Sequence, residues 1–500
     1  MAIWPTIAIC LALLVAECAF AADAPTEQYG ILTPKPPTSP RITGPRVFGV
    51  RPARPVLFTV TATGERPILF AARGLPQGLA LDSKTGRITG TPAREGEYAV
   101  MLTATSARGT AGRALRIVVG DRIALTPPMG WNSWNCWAES VDDEKVRDAA
   151  DGMVASGLAD HGWSYINIDD CWQGVRAPPA YALQPKPRFP DMKALAAYAH
   201  ERGLRLGIYS TPWKTSYAGF AGGSADTDDG RVTEKGHAFG AVAFHEADAR
   251  EFAAWGIDFL KYDWKPMDVA HALAMAEALR ASGRDIVFSL SNSAPFELAA
   301  EWAKIGNSWR TTGDIADTWD SVSGIGFSQD RWRPFAGPGR WNDPDMLVVG
   351  RVGWGPTLRP SRLTRNEQYT HISLWCLLAA PLLLGCDLQN LDEFTLGLLA
   401  NDEVLDVNQD PLGRQAARVA VDGDLEAWAK DLEDGSKAVG LFNRDAAPRT
   451  VTVRWSDLGI HGPHRVRDLW RQQDLGAFDG KFESKVLAHG VVLIRVSSVD

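Results

Sequence analysis

Between Pro127 and Asn408 the chain repeats one pattern, a short strand-like run followed by a longer stretch of helical period. Eight such runs are Met129–Trp134, Ser164–Asp169, Arg205–Ser210, Asp258–Asp263, Asp285–Ser291, Ser308–Asp314, Arg340–Asp345 and Pro381–Asp387. Helical patterns lie between them, as over Met192–Arg202, Glu246–Trp255 and Val269–Ala281. Apolar runs suit strands covered on both faces, and helical crossovers make successive strands parallel. Eight of them predict a (β/α)8 TIM barrel, which delivers side chains from its carboxyl strand ends into one mouth. A doubly wound sheet would want a glycine-rich phosphate loop after its first strand. Ala221-Gly222-Gly223-Ser224 and Gly337-Pro338-Gly339 lack that strand and helix context.

The flanks change character. Residues 23–40 are rich in Pro and Thr and read as an extended linker. Residues 41–120 carry short β-prone runs, such as Val56–Val60, Tyr98–Ala104 and Leu115–Val119, separated by turn residues. That is a small β-sandwich. Within it Gly74–Leu79 and Thr85–Pro92 resemble the immunoglobulin-like modules appended to secreted bacterial enzymes, which implies a spacer or docking module. Residues 413–500 alternate apolar and polar side chains again and predict a second, antiparallel β-sandwich. The expected architecture is multidomain, with the barrel at 124–410 flanked by a β-sandwich on each side.

The net charge of −8 speaks against nucleic acid and against an anionic membrane surface. Residues 1–22 read as a secretory signal, with an apolar run from Ala8 to Ala16 and small residues at Ala19 and Ala21. The expected location is secreted or periplasmic, with no membrane contact after cleavage. Four cysteines then remain, Cys136, Cys171, Cys376 and Cys386. Cys136 and Cys171 each adjoin a predicted strand end, so a bridge between them and a set of four buried thiols are both open readings. No Cys or His cluster has metal-site spacing, and neither metal nor cofactor is expected.

The strand ends carry the chemistry. Trp131 and Trp134 end the first, Asp169 and Asp170 the second, and Tyr209 the third. Lys261 and Asp263 end the fourth, Arg310 and Asp314 the sixth, and Trp341, Asn342, Asp343 and Asp345 the seventh. Gathered at one mouth they make a polar pocket with aromatic walls, which suits a sugar. Glycoside hydrolysis needs two carboxyls flanking the scissile bond. Asp263, beside Lys261, is expected to stay ionised as nucleophile. Asp314 is the acid/base candidate, with its proton affinity raised by the ionised Asp263 and a sheltered site. Arg310, four residues before Asp314 on the same predicted strand, suits sugar hydroxyls. The scattered His200, His237, His245, His271 and His371 read as surface or packing residues.

Six motifs stand in order: Pro128–Trp134, Ile168–Trp172, Leu206–Tyr209, Leu260–Asp263, Trp341–Met346 and Asn408–Gly413. Together they resemble glycoside hydrolase family 27, the α-galactosidase and α-N-acetylgalactosaminidase family, over residues 124–500. The resemblance implies a retaining α-glycosidase acting on terminal α-D-galactose, with Asp263 as nucleophile and Asp314 as acid/base. It implies that Asp169 and Asp170 grip the O4 and O6 side, that Lys261 binds a hydroxyl and that Trp134 is a stacking wall. Tyr209, Arg310 and Asp345 take further pocket positions. It also implies that Cys171 is bridged, with Cys136 as the partner. Two departures stand out. Where α-galactosidases typically carry Cys-Glu-Trp, this chain has Ser289-Leu290-Ser291, with Ser291 at the glutamate position and Ala294 three further on. N-acetylgalactosaminidases use small residues there, which raises an amino-sugar substrate as the alternative, although Asn292 can itself reach a 2-hydroxyl. The loop from Thr211 to Gly240 is long, rich in Gly and Asp, and carries Trp213, Tyr217 and Phe220. It is expected to shape the site beyond the cleaved sugar. A sugar-binding protein without catalysis is the rival of another class, and the presence of both aspartates speaks against it.

Overall fold

The computed structural model describes residues 27–499. The expected signal segment, 1–22, lies outside the described residues. Eight parallel strands form the central sheet: β1 (Met129–Asn132), β2 (Tyr165–Asn167), β3 (Arg205–Ser210), β4 (Phe259–Asp263), β5 (Val287–Ser291), β6 (Ser308–Arg310), β7 (Trp341–Asp343) and β8 (Leu382–Leu384). Neighbours pair in parallel from β1 through β7, and β8 pairs with β1. A parallel bridge between Leu347, just past β7, and Leu384 on β8 joins the two sheet ends. That closes the sheet on itself, and the result is a TIM barrel.

The barrel helices mostly start where short polar side chains accept from first-turn N–H groups, although the two that follow Phe244 and Leu298 have no such cap. They include α1 (Asp143–Ala155), α2 (Met192–Glu201), α3 (His245–Trp255), α4 (Val269–Ala281), α5 (Ala299–Ile305), α6 (Trp319–Gly326) and α7 (Arg365–Leu377). Asp142, Asp191, Asp268 and Thr318 cap α1, α2, α4 and α6, and α7 has a reciprocal Thr364–Glu367 box. Helix α7 is buried over almost its whole length. It packs against both the barrel helices and the C-terminal sandwich, and its buried polar side chains find partners there: Asn366 Nδ2 donates to Ala488 O at 3.0 Å and Thr370 Oγ1 to His489 O at 2.7 Å.

In the N-terminal unit a four-stranded sheet faces a three-stranded one over a core that includes Ile88, Leu115 and Ile117. The unit docks on the amino-terminal end of the barrel. Arg51 pairs with Asp285 at 3.0 Å, and Arg205, the first residue of β3, donates to Leu57 O at 2.7 Å. In the C-terminal unit a six-stranded antiparallel sheet lies against a two-stranded antiparallel sheet of Arg449–Arg454 and Lys481–Val486.

Two expectations change. The described part of the linker is irregular, as expected, but it is not a free tether. Tyr29 is buried with its N–H on Asn366 Oδ1 at 2.8 Å, and Leu32 N–H donates to Tyr369 OH at 3.0 Å. Tryptophan serves the core far more than the mouth. Trp131, Trp163, Trp172, Trp264, Trp302, Trp309, Trp341 and Trp375 are among those fully buried. Trp131 Nε1 donates to Cys386 O and Trp341 Nε1 to Ala124 O, so neither is available to a ligand.

Candidate active site

The carboxyl ends of the strands carry two hydrogen-bonded, ion-paired clusters, one joining β2 and β4 and the other joining β6 and β7. From β4, Lys261 Nζ pairs with Asp169 Oδ2 at 2.8 Å. Asn132 of β1 donates to the same oxygen at 2.8 Å, and Asp170 N–H donates to Asp169 Oδ1 at 2.9 Å. A strand alternates its faces, so Lys261 and Asp263, two residues apart, point into the same space. From β6, Arg310 reaches two carboxylates, Asp345 Oδ1 through Nη1 and Asp314 Oδ1 through Nη2, both at 2.9 Å. Asp345 Oδ2 also accepts from Ile315 N–H at 2.8 Å, which holds the segment bearing Asp314 against the β7 end. Asp343, on β7, braces this corner by accepting from Asp345 N–H at 2.8 Å.

At the centre, three buried polar atoms have no hydrogen-bond partner among the described residues: Asp263 Oδ1, Tyr209 OH and Ser291 Oγ. They come from the ends of three adjacent strands, β3, β4 and β5. Buried polar atoms are ordinarily satisfied, and three neighbours left open match a ligand that brings its own hydroxyls. Trp134 is half-buried at the start of the turn after β1, its N–H on Asn132 Oδ1 at 2.9 Å. Asn292, also half-buried, directly follows Ser291 and accepts from Ser293 Oγ at 3.1 Å.

Three sequence expectations are corrected here. Asp314 is not on a strand: β6 ends at Arg310, and Asp314 lies on the loop beyond it. Trp134 likewise lies past β1, on a helical turn, and Asp345 past β7 in a left-handed conformation, φ +81°. The protonation order is reversed. Burial raises the Asp263 carboxyl to about 6; Lys261 and Arg310 pull it down, while Asp169 and Asp314 push it up. At Asp314 burial acts upward too, but Arg310 and Lys261 outweigh it and hold the carboxyl below its usual range. Its side chain is 75% exposed, so the site is not sheltered in the way the acid role suggested. The implied Cys136–Cys171 bridge is absent. The four described cysteines are buried free thiols, and Cys136 Sγ donates to Ser133 O at 3.5 Å.

Other charges follow from the same crowding. Burial opposes the Lys261 charge, yet Asp169 and Asp263 lift its pKa above the ordinary lysine value. Burial raises Asp343 to about 6, and raises Asp170 and Asp345 as well. His371 is packing, as expected: burial lowers it to about 3, and Nε2 accepts from Val348 N–H at 3.2 Å. Among the described residues no group of His, Cys, Asp and Glu is arranged to hold a metal ion, and no helix is long and apolar enough to cross a membrane. Sequence reasoning gave no separate role to Asn132. Its amide orders Asp169, and its place inside the first of the six motifs was the available signal.

Comparison with known proteins covers nearly the whole described chain. Residues 126–410 match the family described as "Alpha galactosidase A", and residues 422–496 the "Alpha galactosidase C-terminal beta sandwich domain". Residues 39–120 match an Ig domain family. Alpha-galactosidase 2 of Arabidopsis thaliana is 41% identical over 402 residues, 78% of this chain and 94% of that protein. A candidate α-galactosidase of Bacteroides fragilis superposes with a TM-score of 0.84 at 36% identity, over 92% of this chain and 98% of its own. A β-L-arabinopyranosidase of Geobacillus stearothermophilus superposes with a TM-score of 0.67 at 31% identity, over 75% of this chain and 98% of its own.

Proposed function

The chain belongs to the α-galactosidase family of glycoside hydrolases, family 27, and from that premise we propose that it hydrolyses terminal α-D-galactosyl residues by double displacement at Asp263 and Asp314. The observation that carries the reading is the open carboxylate oxygen of Asp263 beside the open hydroxyls of Tyr209 and Ser291, under a rim that bears Asp314. Asp263 attacks the anomeric carbon as the glycosidic bond breaks, and Asp314 gives its proton to the departing oxygen. Asp314 then takes a proton from water, whose oxygen attacks the same carbon. The ester to Asp263 breaks, and the sugar leaves with its original configuration. Lys261, Asp169, Asp170, Arg310 and Asp345 hold the sugar hydroxyls, and Trp134 backs the ring face.

The experiment is an NMR time course with nitrophenyl α-galactoside, reading the anomer released first. α-Galactose released first supports the reading; β-galactose first, or no turnover, defeats it. A second reading has its own observation. Ser291 and Ala294 are small and buried at the β5 end, which favours room for a 2-acetamido group. A marked preference for the 2-acetamido analogue of the same substrate would transfer the assignment to an α-N-acetylgalactosaminidase. Export is a further proposal, supported by the apolar run within residues 1–22. Amino-terminal sequencing of protein from the culture medium or periplasm, starting near residue 22, would bear it out.

A further inference from the structure

The loop between β3 and α3 is built, not slack. Arg176 forms a two-pronged pair with Asp248, 2.7 and 2.8 Å, and its Nη2 also donates to Gly222 O at 2.6 Å. Lys214 pairs with Asp226 at 3.2 Å, and the ring of Phe239 stacks on His271 of α4 with centroids 3.8 Å apart. Within this frame, Ser216 and Ala218 are fixed to the floor of the pocket. Ala218 N–H donates to Asp170 Oδ2 at 2.9 Å, and Ser216 is fully buried beside the same carboxylate. Tyr217, the residue between them, is held directly over the second strand end yet remains 40% exposed. Its ring meets Trp213 edge-on at 5.1 Å and tilts against His237 at 5.1 Å, and the Trp213 and His237 rings stack at 5.0 Å. Trp213 is buried, so it backs the group, and Tyr217 is what a ligand meets.

We propose that Tyr217 is a specificity-determining residue of the leaving-group subsite, its ring taking the apolar face of a pyranose attached to the cleaved galactosyl unit. The inference rests on the galactosidase reading and extends it from the cleaved sugar to its partner. A half-exposed aromatic ring beside a polar pocket has the right chemistry, because a pyranose offers C–H groups on its faces and hydroxyls at its edge. Position adds to this. Its neighbour Ala218 is tied to Asp170 at the pocket floor, and burial, then Asp263 and Asp314, raise the Tyr217 phenol, in keeping with a place at the mouth that both carboxylates face. A group near both of them but outside the buried pocket lies on the side where the departing sugar leaves. The tied loop means that little conformational freedom is lost when a sugar packs there.

The test compares two substrates that share the galactosyl unit. α-Galactosyl fluoride has no leaving-group ring; melibiose leaves glucose. Tyr217→Ala is expected to reduce kcat/KM on melibiose at least tenfold more than on the fluoride, and Tyr217→Phe to keep at least a third of the wild-type value on melibiose. Equal losses on the two substrates, or a Phe variant as impaired as the Ala variant, would overturn the stacking role. No turnover of the fluoride by wild type would overturn the galactosidase reading and this inference with it. Wild-type turnover with equal losses would overturn this inference alone.

Discussion

Arg176→Met is the substitution that best separates what holds the active-site loop from what does chemistry. The guanidinium side chain is 2% exposed and Asp248 is fully buried, so no solvent can take over the lost contacts. Four hydrogen bonds disappear together: two to Asp248 at 2.7 and 2.8 Å, one to Tyr181 O at 2.9 Å and one to Gly222 O at 2.6 Å. Asp248 is left with one donor among the described residues, Leu183 N–H at 2.9 Å. Stranding a buried charge in this way costs about 3–5 kcal/mol. For a barrel of roughly 285 residues, at about 2.1 cal/mol/K of unfolding entropy per residue, that is a fall in Tm of about 5–8 °C. Scanning calorimetry measures it. The double variant Arg176→Met/Asp248→Leu removes the stranded charge as well as its partner, and it is expected to recover more than half of the loss. The freed Gly222 carbonyl also unpins the segment bearing Tyr217, so melibiose turnover falls further than fluoride turnover. A Tm change below about 2 °C, or a double variant less stable than the single one, would refute the claim that this pair carries the loop.

The pH profile of kcat/KM is expected to have its alkaline limb near the Asp263 value of about 6. Above it the carboxyl pair loses its last proton, and no acid remains for the leaving oxygen; a rate unchanged from pH 5 to 8 would contradict this. Asp314→Ala is expected to lower turnover of melibiose by about 10²–10⁴ while sparing formation of the galactosyl-enzyme from the fluoride, which needs little proton assistance. Stopped-flow fluoride release distinguishes the two steps, and equal defects on both substrates would remove Asp314 from the acid role. At the opposite end of the barrel, Arg51→Ala removes the ion pair to Asp285 at 3.0 Å and leaves only the backbone N–H bond of residue 51 to the other carboxylate oxygen, 2.8 Å. It is expected to cost about 1–3 kcal/mol and to raise the rate at which protease releases the N-terminal sandwich, with activity retained. An unchanged rate of release would show that the pair does not hold the domain.

The barrel was legible because its signal is one-dimensional. A strand-like run, repeated eight times between helical periods, leaves few other folds. The strand-end carboxylates were legible for the same reason, since Lys261 and Asp263 share a face by spacing alone. Other features depend on what folding brings together. Asp314 was placed on a strand because Ser308–Asp314 keeps β-prone residues, yet the ladder stops at Arg310, and a side-chain pair then restores the proximity that continuous strand geometry had suggested. The tryptophans were over-read as sugar platforms. Composition cannot distinguish an indole whose N–H finds a backbone carbonyl, as Trp131 and Trp341 do, from one that faces solvent. Adjacency to strand ends left a Cys136–Cys171 bridge and four buried thiols both open, since it sets neither the depth nor the direction of a thiol; the bridge that the resemblance implied is the reading that failed.

The protonation order is the least legible feature, and it bears most on mechanism. A neighbouring lysine suggested an ionised Asp263, but burial outweighs Lys261, while the exposed Asp314 is held charged by Arg310. While the pair holds a single proton, below about pH 6, the free enzyme therefore favours it on the residue that must attack and leaves the charge on the residue that must donate. A bound galactosyl ring acts on both. It covers Asp314 and displaces water from it, which raises its proton affinity. It also brings hydroxyl donors to the open Oδ1 of Asp263, and hydrogen bonds to the charged form lower that carboxyl. Both changes move the proton toward the productive arrangement without a change in the fold. Contacts with the non-reacting parts of the sugar then do more than hold it. Part of their free energy goes into setting the charge state from which the bond breaks, which is how binding remote from the reacting atom becomes rate.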